Sequence, residues 1–203
     1  MVTEKRKKRM LNVLFDRQRD LTVICENIHD PHNVSAVLRT CDAVGISQVH
    51  LIYTTEAFPK LGKKSSASAK KWIEFHRHKD YDTLREVLKD QQMKIYATHV
   101  DPASQKIYDI DWTRPSAIIL GNEHRGVSED CLKISDQTVY IPMHGMVQSL
   151  NVSVAAAVIL YEAYRQRWQK QMYPYSANDE WVSDFLKIWT GKTRDSKTNK
   201  KVK

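Results

Sequence analysis

Short apolar runs alternate with helix-length amphipathic segments along most of this chain, and that alternation constrains its fold more than any other feature. Apolar runs of about four to eight residues are typical of buried strands, and strands separated by helices pair in parallel. We therefore predict an α/β fold, a mostly parallel sheet flanked by helices. The predicted strands are LTVIC (21–25), QVHLI (48–52), WIEFH (72–76), KIYAT (94–98), SAIIL (116–120) and QTVYI (137–141).

Three segments between and after these strands are predicted helices. Asp30 is a suitable N-cap for a helix that runs toward Gly45, and residues 80–91 form an ordinary surface helix. A longer helix starts at Asn151, apolar in its first turns and basic at its end. The apolar residues 158–160 predict that these first turns pack in the core or against a second copy of the chain.

Positive charge is concentrated at the two ends of the chain. Residues 1–19 carry a net charge of +5 and residues 187–203 a net charge of +6, which leaves −3 for the remainder. We predict a basic N-terminal helix (1–19), a central domain (20–172) and a C-terminal extension (173–203) with a short helix and a disordered basic tail. Basic ends of this kind either bind a polyanion or serve as solvated tails that keep the protein soluble.

Several classes of protein are disfavoured by the composition. No apolar run approaches the roughly 18 residues of a membrane span, and the basic N-terminus lacks the apolar run of a secretory signal, so a cytoplasmic protein is expected. The three cysteines show no CxxC spacing and the histidines do not cluster in the sequence, so neither a disulfide framework nor a metal site is indicated.

Three polar segments follow predicted strands, where α/β proteins bind their ligands. They are HDPHNVSAVLRTCDAVG (29–45), GNEHRGVS (121–128) and IPMHGMVQSLNVSVAAAV (141–158), and none is a known nucleotide-binding or hydrolytic motif. Taken singly, Asn33 or Arg39 could be an ordinary surface residue. Glu123 and Asn151, however, lie beside predicted core segments, where an unpaired polar group is costly. Together the three segments predict one binding site.

NVSAVLRTCDAVG, ILGNEHRG and IPMHGMVQSLNVSVAAAVILYEA resemble the three motifs of the SPOUT superfamily of RNA methyltransferases, most closely its TrmH-type tRNA (guanosine-2'-O)-methyltransferases. The resemblance runs from about residue 5 to about residue 172. It implies an S-adenosylmethionine-dependent enzyme, a homodimer that completes the site, and a deep C-terminal trefoil knot. Knots are rare, and no hydrophobic pattern would have predicted one.

The resemblance also implies roles for individual residues. Arg39 matches the family's catalytic arginine, with Asn33 beside it in the same pocket. We expect Arg39 to orient the ribose 2'-hydroxyl and a phosphate rather than to accept the proton, because guanidinium groups stay charged in proteins. Ile141 and Leu150 are expected to flank the adenine ring. The implied cofactor-binding residues are Thr98, Gly121, Glu123, Ile141, Met143, Ser149, Leu150 and Asn151.

A tRNA is the expected substrate, with guanosine 18 of the D-loop as the family's usual target. Ribosomal RNA is the alternative within the superfamily, but such enzymes often carry a separate RNA-binding domain before the catalytic one. A catalytically silent RNA-binding protein is the alternative outside it. The predicted RNA-binding residues are Lys5, Arg6, Lys8, Arg9, Arg17, Arg19, Arg165 and Arg167.

Overall fold

The structure, a computed structural model, describes residues 2–59, 71–173 and 180–191. The chain divides into two compact units. One combines Met1–Arg17 with Tyr173–Lys203, and the other is Gln18–Met172. None of the helices in the described ranges is both long enough and apolar enough to cross a membrane.

The larger unit contains a seven-stranded sheet in the order β3-β2-β1-β6-β4-β7-β5, and every neighbouring pair of strands is parallel. The predicted α/β class with a mostly parallel sheet is therefore confirmed. The knot implied by the family resemblance stays a prediction. The strands are β1 (Leu21–Glu26), β2 (Gln48–Ile52), β3 (Glu74–His78), β4 (Lys94–Thr98), β5 (Gln105–Lys106), β6 (Ser116–Leu120) and β7 (Gln137–Tyr140).

β1 ends one residue later than predicted and β7 one residue earlier, whereas β3 and β5 depart further from the sequence prediction. β3 starts at Glu74 rather than at residue 72, because its bounds are set by pairing with β2, where Gln48 lies opposite Glu74. The apolar residue Ile73 precedes this pairing and is buried in the core instead. β5 was not predicted, since its two residues are polar and exposed and give no apolar signal.

Helices cover both faces of the sheet. The N-cap prediction for Asp30 is confirmed, because its side chain accepts a hydrogen bond from the backbone N–H of His32. Apolar residues of α2 and α5 pack on one face of the sheet, and those of α3 and α4 pack on the other. The helices of this unit are α2 (Pro31–Ala43), α3 (Tyr81–Asp90), α4 (Glu129–Ile134) and α5 (Val152–Gln169), with a 3-10 helix at Ile107–Asp109.

The apolar part of α5 is divided between the core and the surface. Ile159 and Leu160 are buried in the core of their own chain, so they give no evidence of a second copy. Instead, Val154, Tyr161 and Trp168 are 47%, 52% and 60% exposed. These three residues are spaced seven apart, which places them on one side of the helix. We call them the α5 stripe.

Two predicted RNA-binding residues are buried, which makes the prediction wrong for both. The Arg167 guanidinium donates to the backbone carbonyl of Trp112 (2.8 Å) and pairs with Asp20, and its side chain is fully buried. Arg17 is also fully buried, with its guanidinium carbon 5.5 Å from the centre of the Trp189 ring. Guanidinium groups buried in these positions cannot contact a phosphate of a bound RNA.

The smaller unit contains α1 (Glu4–Phe15) and α6 (Glu180–Thr190). Leu14 of α1 packs with Val182 and Phe185 of α6 in a small apolar core. The predicted basic helix thus ends before residue 19, and its Lys5, Arg6, Lys8 and Arg9 side chains are exposed. The predicted disordered tail at 192–203 lies outside the described residues.

Candidate active site

A cavity of about 810 Å³ lies beyond the carboxyl ends of β4, β6 and β7. Its size falls within the range typical of small-molecule sites. All eight predicted cofactor-binding residues line it, and they are Thr98, Gly121, Glu123, Ile141, Met143, Ser149, Leu150 and Asn151. The second and third polar segments therefore converge on one site, as their positions after strands predicted.

A tight loop after β6 forms one wall of the cavity. The backbone N–H of Asn122 donates to the carbonyl of Gly126 (3.0 Å), and the N–H of Gly126 donates back to the carbonyl of Asn122 (2.8 Å). A Cβ atom on Gly121 would lie 2.4 Å from the backbone of Gly126 and Val127. Only glycine fits at position 121, and the loop can close only because of it.

Glu123 joins this loop to the start of α2. Its carboxylate accepts hydrogen bonds from the backbone N–H groups of His29 (2.9 Å) and Asp30 (3.1 Å) and from the side-chain amide of Asn33 (2.9 Å). Partial burial raises the pKa of the Glu123 carboxyl, but the hydrogen bonds outweigh burial and hold this pKa below its usual value. Glu123 thus stays ionised against the N-terminus of a helix, where negative charge is favoured.

Asn33 and Asn151 extend the connection to the third polar segment. The Asn151 side-chain amide donates to the Asn33 side-chain oxygen (3.0 Å). Asn151 also caps α5, since its side-chain oxygen accepts from the backbone N–H of Ser153 (2.9 Å). A continuous chain of hydrogen bonds from Glu123 through Asn33 to Asn151 therefore links all three segments.

Arg39 lies apart from this cavity. It is exposed on α2, six residues beyond Asn33 and so about 9 Å farther along the helix axis. Neither residue is among the described residues that line the cavity, although Asn33 bonds to two that do. The structure brings Asn33 to this site and leaves Arg39 outside the cavity.

Two further residues that position the loops were missed by the sequence analysis. The Glu26 carboxylate, buried at the end of β1, accepts from the Tyr81 hydroxyl (3.1 Å) and from the backbone N–H of Ser128 (3.0 Å). Asn27 follows it with a positive φ of 47°, which is uncommon for a residue other than glycine. The sequence does contain a sign of both residues, since they are two consecutive polar residues at the end of an apolar strand.

The described residues contain no cluster of three or more His, Cys, Asp or Glu side chains arranged to hold a metal ion. The cavity instead offers loop backbone groups, the Glu123 carboxylate and apolar side chains such as Ile141 and Leu150. This combination suits an organic molecule that carries a flat ring and polar or charged groups.

Comparison with known proteins identifies the family. A model of the SpoU rRNA methylase family matches residues 20–161. The chain belongs to this family. A tRNA (guanosine(18)-2'-O)-methyltransferase of Thermus thermophilus is 46% identical over 84% of the chain and 88% of the relative. One from Escherichia coli K12 is 44% identical over 81% of the chain and 72% of the relative.

Solved structures agree with this assignment. A TrmH/SpoU tRNA modifying enzyme of A. aeolicus has a TM-score of 0.86 at 38% identity, over 93% of this chain and 96% of that one. The SpoU methyltransferase AviRb from Streptomyces viridochromogenes, in complex with the cofactor AdoMet, has a TM-score of 0.66 at 26% identity, over 76% of this chain and 61% of that one. This SpoU family member is therefore a methyltransferase with the fold of these enzymes.

Proposed function

We propose that the protein transfers a methyl group from S-adenosylmethionine to the ribose 2'-hydroxyl of guanosine 18 in tRNA. The observation that carries this proposal is the convergence of the predicted cofactor residues on one cavity, linked through Glu123, Asn33 and Asn151. The names of the relatives support tRNA and position 18. A tRNA substrate also supports a cytoplasmic location.

The cavity residues fit the proposed cofactor. Ile141 and Leu150 offer apolar surfaces for a flat adenine ring, and the carboxylate of Glu123 suits the positive charges of the methionine part. When bound there, S-adenosylmethionine supplies an already activated methyl group, so no metal and no covalent nucleophile is required. The remaining task of the protein is to position the ribose and let its proton leave.

Arg39 is the residue proposed to position the ribose. Its planar guanidinium can bind a phosphate and the 2'-hydroxyl together, which a lysine could not reproduce. Because Arg39 is exposed and lies outside the cavity of its own chain, we propose that it acts at the cavity of a second copy. The α5 stripe supports a homodimer, since exposed apolar residues on one side of a helix are typical of an interface.

Heterodimers of two inactive variants test this arrangement. Arg39→Ala and Asn151→Ala chains with different affinity tags are coexpressed, and the mixed dimer is purified through both tags. If Arg39 acts across the interface, the mixed dimer has one intact site and about half of the wild-type activity. No activity in the mixed dimer, or a monomeric wild-type protein that methylates tRNA, would contradict the proposal.

Binding of tRNA outside the cavity is assigned to the exposed cations among the predicted set. Lys5, Arg6, Lys8 and Arg9 share the exposed surface of α1, and such groups add sequence-independent affinity for phosphates. Arg165 is 54% exposed and pairs with Glu162, so part of its charge is already engaged. Arg19 is only half-buried and stays in the proposed set.

A strain that lacks the gene tests the substrate. Nucleosides from its purified tRNA and rRNA are compared with those of the parent strain by mass spectrometry. We expect 2'-O-methylguanosine to be missing from tRNA and restored by the wild-type gene. Loss of a 2'-O-methyl mark from rRNA alone would show the alternative substrate, and no loss from either RNA would indicate a silent RNA-binding protein.

A further inference from the structure

Arg125 lies on the wall of the cavity, on a backbone that the tight loop after β6 holds in place. Its backbone N–H and that of His124 both donate to the side-chain oxygen of Asn122 (3.2 and 2.9 Å). The next residue, Gly126, closes the loop through its two backbone hydrogen bonds with Asn122. The Arg125 side chain is nevertheless 59% exposed, so a long cation extends from a rigid base beside the cavity.

The loop after β2 fixes the direction of this side chain. Arg125 Nη2 donates to Glu56 Oε1 (2.7 Å) and to Thr55 Oγ1 (3.2 Å). The backbone N–H groups of Thr55 and Glu56 in turn donate to Asn27 Oδ1 (3.1 and 3.2 Å). The backbone carbonyl of Asn27 accepts from the side-chain amide of Asn122 (2.8 Å), which closes a ring of contacts around Arg125.

Stability alone does not account for this arrangement. Exposed ion pairs contribute little to folding, because water screens the charges and two long side chains must be ordered. The Arg125–Glu56 pair also holds the guanidinium by one nitrogen. Within the described residues both side-chain contacts of Arg125 pass through Nη2, and a guanidinium carries five N–H donors in a planar fork. The other N–H donors of this fork have no hydrogen-bond partner among the described residues, and the side chain that carries them is more than half exposed.

A phosphate is the group that would arrive there. A ribose whose 2'-oxygen enters the cavity carries its own 3'-phosphate on the adjacent carbon and a 5'-phosphate on the other side. Both must lie close to the cavity mouth. A pre-oriented guanidinium binds such an oxyanion in a two-point geometry with little further ordering. We propose that Arg125 binds a phosphate next to the methylated nucleotide, with Glu56 and Asn27 as its positioning residues. This proposal rests on the function proposed above.

The test compares Arg125→Gln with a matched control, Arg114→Gln. Arg114 is also an exposed arginine, 77% exposed, that pairs with a nearby acid, Asp111. It precedes β6, however, and therefore lies at the opposite end of the sheet from the cavity. For each variant we would measure affinity for an unmodified tRNA transcript between about 50 and 200 mM salt, and affinity for S-adenosylmethionine by calorimetry.

Arg125→Gln should weaken tRNA binding roughly tenfold and lower the slope of log affinity against log salt by about 0.7 to 0.9, the loss of one phosphate contact. Affinity for S-adenosylmethionine should be unchanged, and Arg114→Gln should match the wild type in both assays. Arg125→Lys should keep the salt slope while losing part of the affinity.

Two results would overturn the proposal. If Arg125→Gln leaves the tRNA affinity and the salt slope unchanged, the contacts around Arg125 only stabilise the loop and do not serve phosphate binding. A weakened affinity for S-adenosylmethionine with normal tRNA binding would assign Arg125 to the cofactor carboxylate instead. A wild-type protein that methylates no tRNA would contradict the proposed function itself, which keeps the two failures distinguishable.

Discussion

A single methyl group added at Gly121 should disable the cofactor site. The Cβ atom of Gly121→Ala would lie 2.4 Å from backbone atoms of Gly126 and Val127, whereas ordinary contacts of this kind are 3.4 Å or longer. The opposing atoms belong to the backbone, so the loop has to move by about 1 Å. Overpacking of this kind costs about 1–3 kcal/mol, which lowers the melting temperature of a domain this size by roughly 2–12 °C.

The functional loss should exceed the loss of stability. A displacement of about 1 Å in a positioned site can cost on the order of 100-fold in activity. We therefore expect calorimetry to show at least a tenfold weaker affinity for S-adenosylmethionine in Gly121→Ala. The matched control is Gly145→Ala, where the added Cβ has no neighbour within 4 Å. Wild-type melting temperature and cofactor affinity in Gly121→Ala would refute the reasoning.

Three further predictions concern other parts of the protein. Arg39→Ala should abolish methyl transfer at saturating tRNA yet keep cofactor affinity, and near-normal turnover would remove Arg39 from the mechanism. Replacing the basic residues among 5–9 with glutamate should weaken tRNA binding and flatten its salt dependence. An unchanged salt slope would show that α1 does not contact the tRNA phosphates. Burial, with His76 and His78 nearby, lowers the pKa of His50 from 6.5 to about 3, so the unfolded chain binds the proton more readily. Stability to urea should therefore be complete above pH 6.5 and fall as the pH drops toward 3, more steeply than in His50→Asn.

The parts of the fold that follow from apolar patterning were predictable from the sequence. The bounds of β2, β4 and β6 match the predicted strands, because each is a five-residue run of mostly buried residues in the middle of the sheet or beside it. β5 and the start of β3 depend on pairing with a neighbour rather than on composition. A two-residue polar strand has no local signal, so only the folded chain reveals it.

Charged residues were harder to place than apolar ones. Arg167 near the end of α5 has the same local sequence context as an exposed basic residue suited to the helix dipole. Its partners, the carbonyls of Trp112 and Arg114 and the side chain of Asp20, are distant in the sequence. No local pattern indicates which cation will meet such partners. The local sequence therefore does not distinguish a buried arginine from an exposed one.

The predicted cofactor residues line one cavity because they follow strands, and the loops at the carboxyl ends of parallel strands lie at one edge of the sheet. The direct hydrogen bonds between Glu123, Asn33 and Asn151 could not be derived from spacing, since the three residues come from three separate segments. The family resemblance placed Asn33 and Arg39 in one pocket. The position of Arg39 outside the cavity of its own chain follows only from the structure.

Methylation of the 2'-oxygen of guanosine 18 in tRNA by this SpoU family member can be tested directly. The most direct measurement incubates the purified protein with S-adenosylmethionine and an unmodified tRNA transcript, then maps the added methyl group by mass spectrometry of nuclease fragments. We predict one 2'-O-methylguanosine at position 18 and none in a transcript with another nucleotide there. Methylation of a base, methylation at another ribose, or transfer only to ribosomal RNA fragments would contradict the claim.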